Sequence, residues 1–246
     1  MGTSKSYGGA KGHPNWSQLS SSVTRACETG TISDNSLNNV TSNFAKLLGG
    51  SNFGGRGKSK IGGRAGIRTA KKLGGFLSDV KFKGFKFALS GIGFELTDTT
   101  MPNEAINYLL EYCAGVASSL DETAAKAAER QLLEEISSEA KNFEELANNF
   151  EQKIEEYGIE ELLLKYYAFY IYEHLSIDFY EKLIEGKGKA ATSNFYIQLK
   201  NFLLEKVKNI ARRRDLSKID WEDKEGDELV KNIFEDTLKA FENYEG

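Results

Sequence analysis

Several residue types are scarce in this 246-residue chain, and each scarcity removes a class of protein. Its two cysteines, Cys27 and Cys113, are too few and too far apart for a disulfide framework or a zinc site, so each is expected to pack as a small apolar residue. Its two histidines, His13 and His174, signal neither a multi-histidine metal site nor a Ser-His-Asp arrangement. Glu173 and His174 would suit a proton shuttle, but a lone histidine among aromatics is more often simply hydrogen-bonded. No metal, cofactor or catalytic constellation is expected. No apolar run approaches the roughly 18 residues of a membrane helix, and the first residues lack the apolar core of a secretory signal, which points to a cytoplasmic protein.

What is present is unevenly distributed. Residues 1–95 hold 14 Lys and Arg against 4 Asp and Glu, a net +10, whereas residues 96–246 hold 18 against 32, a net −14. Of the 24 glycines, 18 fall in the first 95 residues. A boundary follows near 96–102, at Thr97-Asp98-Thr99-Thr100-Met101-Pro102. Three regions result: a flexible Gly-rich tail over 1–15, a basic Gly-rich helical region over 16–95, and an acidic multi-helix bundle over 96–246. The fold class is mainly α. Charge asymmetry of this kind speaks to partners rather than to fold, and the two halves are themselves suited to attract one another.

In the basic region, Trp16, Leu19 and Val23 recur at helical spacing, with Gly30 beyond the end. A four-turn helix is expected next, capped by Ser33 or Asp34, carrying Leu37, Val40, Phe44, Leu47 and Leu48 on one stripe and stopped at Gly49-Gly50. Ile61, Ala65, Ile67, Ala70 and Leu73 suggest a third helix, interrupted by Gly62, Gly63, Gly66, Gly74 and Gly75. Each glycine inside a helix costs about 0.5–1 kcal/mol against alanine, so such density asks for close backbone approach or for an anion. Arg56, Lys58, Lys60, Arg64 and Arg68 surround this glycine backbone and are candidate anion-binding residues. Gly54-Gly55-Arg56-Gly57-Lys58-Ser59 lacks the P-loop spacing, which excludes an NTPase assignment. From Phe76 to Phe94, Phe82, Phe85 and Phe87 interleave with Lys81, Lys83 and Lys86 as a nucleic-acid surface would, although one helix face followed by a turn is the simpler reading.

The acidic region reads as helices throughout. One opens at Thr100 or Asn103 with Pro102 in its first turn, and the next is capped by Asp121. Segments over 142–156 and 159–185 follow, the second so rich in Tyr166, Tyr167, Phe169, Tyr170 and Tyr172 that burial on several sides is expected, with tyrosine hydroxyls reaching polar partners. Helices over 190–213, ending in Arg212, Arg213 and Arg214, and over 225–244 complete the bundle.

The first residues carry the sharpest chemistry. Gly2 is a residue that initiator-methionine removal leaves as a free α-amine, and an α-amine titrates near 7.7–8.0, about two and a half units below a lysine, so it is partly an uncharged nucleophile at neutral pH. The opening Gly2-Thr3-Ser4-Lys5-Ser6-Tyr7-Gly8-Gly9, the Gly/basic segment through residue 75 and the helical second half together resemble the QatB family of the four-part Qat antiphage operons. Where that family's start commonly continues into Gly-Pro, this chain reads Gly9-Ala10. The resemblance implies a non-enzymatic component whose Gly2 accepts a 7-deazaguanine in amide linkage from a QueC-like partner, QatC. It also implies Thr3, Ser4, Lys5 and Ser6 as recognition residues, and the QatA ATPase and QatD nuclease as further partners. Two other readings fit the same residues: Met1-Gly2-Thr3-Ser4-Lys5-Ser6 satisfies an N-myristoylation pattern, and the +10 half would suit a nucleic-acid adaptor.

Overall fold

Glycines and short polar residues set the helix ends in the computed structural model, which describes residues 14–50, 62–210, 216 and 219–242. Among these residues there are nine α-helices and no strand, so the mainly α expectation holds. α1 (Pro14–Ala26) starts on a proline, whose missing N–H is no loss in a first turn, and so takes in the last two residues expected of the tail. α2 (Asp34–Leu48) is capped by Ser33, whose side chain accepts from the Ser36 amide, and is stopped by Gly49 at φ 106°.

α3 (Arg64–Lys83) differs from its expected form, because it runs unbroken through Gly74 and Gly75 to residue 83. Gly84, at φ 85° and ψ 158°, then turns the chain into the short α4 (Phe85–Gly91). The expected segment from Phe76 to Phe94 is therefore divided between two helices. α5 (Pro102–Cys113) begins on Pro102, with the Glu104 carboxylate accepting from the Met101 amide at 2.9 Å. α6 (Leu120–Ile136) is capped by Ser119 rather than Asp121, in a capping box with Glu122. α7 (Phe143–Lys187) is broken at Gly158, φ 75° and ψ 161°, where two segments were expected. α8 (Lys189–Lys208) and α9 (Lys224–Glu242) close the array. Arg212, Arg213 and Arg214 lie outside the described residues.

The second segment of α7 is the centre of the bundle. Leu163, Tyr166, Tyr167, Phe169, Tyr170 and Leu175 are all buried on it, packed among α3, α6, α8 and α9. Two of its three fully buried tyrosine hydroxyls find partners, as burial of an O–H requires. Tyr167 donates to the Val230 carbonyl at 2.9 Å, and Tyr170 to Asp121. Tyr166 is the exception, buried with no well-formed hydrogen bond at its hydroxyl. Cys27 and Cys113 are free, buried thiols, as their isolation suggested.

The basic and acidic halves are packed on one another. α2 lies on α9, and α3 lies on α6, α7 and α9. Ion pairs cross the same join: Arg68 to Glu122 at 3.1 Å, Lys71 to Asp227 at 2.9 Å and Lys86 to Glu144 at 3.4 Å. Each is at the surface and worth at most about 1 kcal/mol, so apolar burial rather than charge holds the halves together.

One acidic residue sits inside this core. Glu129 on α6 is fully buried, and neither carboxyl oxygen has a well-formed hydrogen bond, although the Cys113 thiol and Ala114 amide lie beside it. Burial pushes its carboxyl well above the ordinary range, against smaller opposing effects of Cys113 and Lys126. The folded state therefore holds a proton here that the unfolded chain releases near pH 4.5. Stability falls as pH rises above that value until the folded carboxyl ionises, by up to about 1.4 kcal/mol per pH unit. Glu129→Gln removes this dependence, so its advantage over the natural chain in urea unfolding should grow from pH 5 to pH 8. A difference that stays constant across that range would contradict a protonated Glu129.

Candidate functional site

The glycine-rich entrance to α3 is built around a carboxylate from another helix. Asp121 is the second residue of α6, and with Ser119 already capping that helix its side chain is free to reach across to α3. There Oδ1 accepts from the Gly63 amide at 3.1 Å and Oδ2 from the Ala65 amide at 3.0 Å. Two α7 side chains complete the shell: the Tyr170 hydroxyl donates to Oδ1, and His174 Nε2 lies 3.1 Å from the same atom. The Tyr170 oxygen also accepts from the Gly63 amide at 2.8 Å. Burial pushes the Asp121 carboxyl up, but hydrogen bonds from His174, Tyr170 and the Ala65 amide outweigh it and hold the group below the usual carboxylate range. Ionised Asp121 is acceptor-only, so His174 Nε2 carries the proton of that bond.

The Gly63 and Ala65 amides at the start of α3 are thus satisfied from within, by an anion the chain supplies itself. Sequence reasoning assigned Asp121 as the cap of its own helix and missed this role. The legible signal was the small-residue spacing. Gly66, Ala70 and Gly74 lie four apart, on one face of α3, and that face receives aromatic rings. A Cβ on Gly66 would stand 2.8 Å from Tyr170 Cζ, and one on Gly74 would stand 2.2 Å from Trp221 Cζ3. Of the two explanations for the glycines, close approach is the one these contacts display.

The candidate anion-binding residues are only partly placed. Arg56, Lys58 and Lys60 lie outside the described residues. Arg64 is exposed at the start of α3. Arg68, one turn on, engages Glu122, which sits at the α6 start; hydrogen bonds from Ser118 and then Arg68 lower that carboxyl to about 2. Further along α3, a groove of about 750 Å³ opens beside Lys71, Lys72, Tyr112 and Trp221. Its lysines are occupied. Lys71 donates to the Glu222 and Asp223 carbonyls and pairs with Asp227, while Lys72 donates to the Tyr112 carbonyl at 2.7 Å and lies over that ring.

His174 is buried beside Phe44 and Tyr170 and bonded to Asp121, while Glu173 on the neighbouring face accepts from Gln131. Among the described residues no group of three or more His, Cys, Asp or Glu converges as metal ligands, and no helix is long and apolar enough to cross a membrane.

Gly2, Thr3, Ser4, Lys5 and Ser6 lie outside the described residues, but the point where their segment joins the bundle is fixed. Trp16 on α1 stacks on Phe179 of α7 at 5.2 Å, with Lys182 over its ring. The Asn15 side chain donates to the Lys46 carbonyl at 3.0 Å.

Residues 54–241 match the family described as the Qat anti-phage system associated protein QatB, which is more than half of the chain. The chain belongs to the QatB family. It is accordingly a component of an anti-phage defence system, and the other components of that system are its partners in function. The match spans α3 to nearly the end of α9, and so includes the Asp121 anchor and the groove beside Lys71 and Lys72. No curated protein and no solved structure matches the chain.

Proposed function

We propose that this QatB-family chain is a non-enzymatic protein substrate and scaffold, with Gly2 as acceptor for a 7-deazaguanine delivered by a QueC-like partner. Family membership is the observation that carries the reading, joined to the chemistry of the first residues. In the proposed step the partner converts a deazaguanine carboxylate and ATP to an acyl-adenylate and pyrophosphate. The uncharged Gly2 amine attacks the acyl carbon, the C–N bond forms, and AMP leaves as the amine gives up a proton. Glycine suits this position because a narrow channel to an adenylate leaves no room for a side chain at the attacking residue. Thr3, Ser4, Lys5 and Ser6 would follow it into the channel as recognition residues. The anchored α1 would hold the base of that arm while its tip reaches a partner. Arg56, Lys58, Lys60, Arg64 and Arg68 are retained in this reading as anion-facing residues of the same half.

The test is intact-mass and N-terminal peptide mass spectrometry on the chain expressed with and without the neighbouring Qat components. A deazaguanine-sized adduct on Gly2 that depends on the QueC-like component is expected. Gly2→Pro should lose the adduct entirely while keeping the helical circular dichroism and melting midpoint. Normal modification of that variant would overturn the reading. A myristoyl-sized mass would move the protein to membranes instead, and an unmodified glycine in defence-active cells would leave an interaction protein without the conjugate.

A further inference from the structure

Large exposed apolar side chains among the described residues are few, and two of them, Phe82 at 53% and Phe87 at 57% exposure, flank the same turn at Gly84. The reason is local geometry. Gly84 breaks the helical course between α3 and α4 with its left-handed φ, and Phe85 packs inward against Phe76 and Phe150 while Phe82 and Phe87 on either side stay in water. Lys81 lies over the Phe82 ring at 5.6 Å and Lys83 over Phe87 at 5.5 Å. Such contacts recover only about 0.5–1 kcal/mol at exposed sites, less than burial of a phenylalanine side chain would contribute. Beside Phe82 a groove of about 460 Å³ runs to α7, floored by Val80 and Ile154 and rimmed by Glu151 and Glu155.

We propose that this α3–α4 corner is the docking surface for another protein component of the same defence system. The partner presents an apolar side chain to the groove between Phe82 and Ile154, a carboxylate to Lys81, and a cation to Glu151 and Glu155. Charge decides for protein over nucleic acid. Lys83 is paired with Asp79 at 2.7 Å and Lys86 with Glu144, and the groove's far rim is acidic, so a phosphate backbone would meet carboxylates at each step. Exposed aromatics within a mixed-charge rim are the composition of a protein interface centre. The surface lies within the family-matched residues and makes no use of Gly2, so docking and conjugation are separable.

The test is binding of the chain to each neighbouring Qat component, co-expressed and purified, by sedimentation and titration. Three forms are compared: the natural chain, Phe82→Ser/Phe87→Ser, and a control pair, Val116→Ser/Ile197→Ser, which alters exposed apolar residues elsewhere. Because all four positions are exposed, every form should fold, with matching circular dichroism and melting. Loss of two aromatic anchors should weaken binding to one component by about thirtyfold, the control staying within about twofold. Equal affinity of the phenylalanine pair and the natural chain would overturn the proposal, as would binding of no component by the natural chain. So would an effect of the phenylalanine pair confined to self-association or to a fluorescent 30-nucleotide thymidine strand. Gly2→Pro should keep full docking, so failure here and failure of conjugation are read separately.

Discussion

Asp121→Ala should destabilise the protein by about 3–5 kcal/mol, the loss expected when one member of a buried, charged network is removed. The substitution leaves the Gly63 and Ala65 amides, the Tyr170 hydroxyl and His174 without their shared acceptor in a site water reaches poorly. It also removes the negative charge that stands at the Gly63 and Ala65 amides, where Gly63 caps α3 with no side chain of its own. The pH dependence has a definite sign. The folded carboxyl is held below its ordinary value of 3.8, so its contribution is fully present above that value and is lost as pH falls through the lower folded pKa. Urea unfolding at pH 7 and again near pH 3 should therefore show a large difference between the natural chain and Asp121→Ala that shrinks in acid. A loss under about 1 kcal/mol at pH 7 would mean that Asp121 is not what anchors α3.

Substituting the glycines of α3 should move stability against helix propensity. Alanine favours a helix over glycine by about 0.5–1 kcal/mol, yet Gly66→Ala and Gly74→Ala are each expected to destabilise by about 1–3 kcal/mol, the range for overpacking. At Gly66 the obstacle is the Tyr170 ring, fully buried and fastened through its hydroxyl to Asp121, so it has nowhere to yield. At Gly74 it is the rigid indole of Trp221, which packs the approach to α9 against α3. Gly186, in the last turn of α7, is the counter-case: nothing lies within 4 Å of its Cβ position, and alanine there should stabilise by about 0.5–1 kcal/mol. Thermal midpoints of the three variants decide the matter. Stabilisation by Gly66→Ala would show that the Tyr170 contact is soft and that the glycines serve some other need.

Helix positions were legible where the signal was local. Ser33 and Gly49 bracket α2 as their chemistry predicts, and Gly158 divides α7 where the apolar pattern pauses. The aromatic run on α7 announced a helix buried on several sides, because too many large side chains share it for one narrow stripe. Local rules failed at α3, where glycine was read as interruption. Propensity counts what a residue does to its own helix, whereas Gly66 and Gly74 act on rings from α7 and from the segment before α9. They failed again at Asp121, since a capping side chain looks the same in sequence whether it bonds its own helix or a neighbour's.

The sequence by itself determined the helical class, the ends of most helices, the burial of both cysteines and the opposition of a basic and an acidic half. These depend on periodicity, capping and charge, which act over a few residues or over whole regions. Only the tertiary structure decided that Asp121 belongs to α3, that the glycines seat Tyr170 and Trp221, that Glu129 is shut in the core, and that Phe82 and Phe87 stand in water beside a groove. Each is a contact or an exposure set by residues distant in the chain, and its energy exists only once several helices have packed.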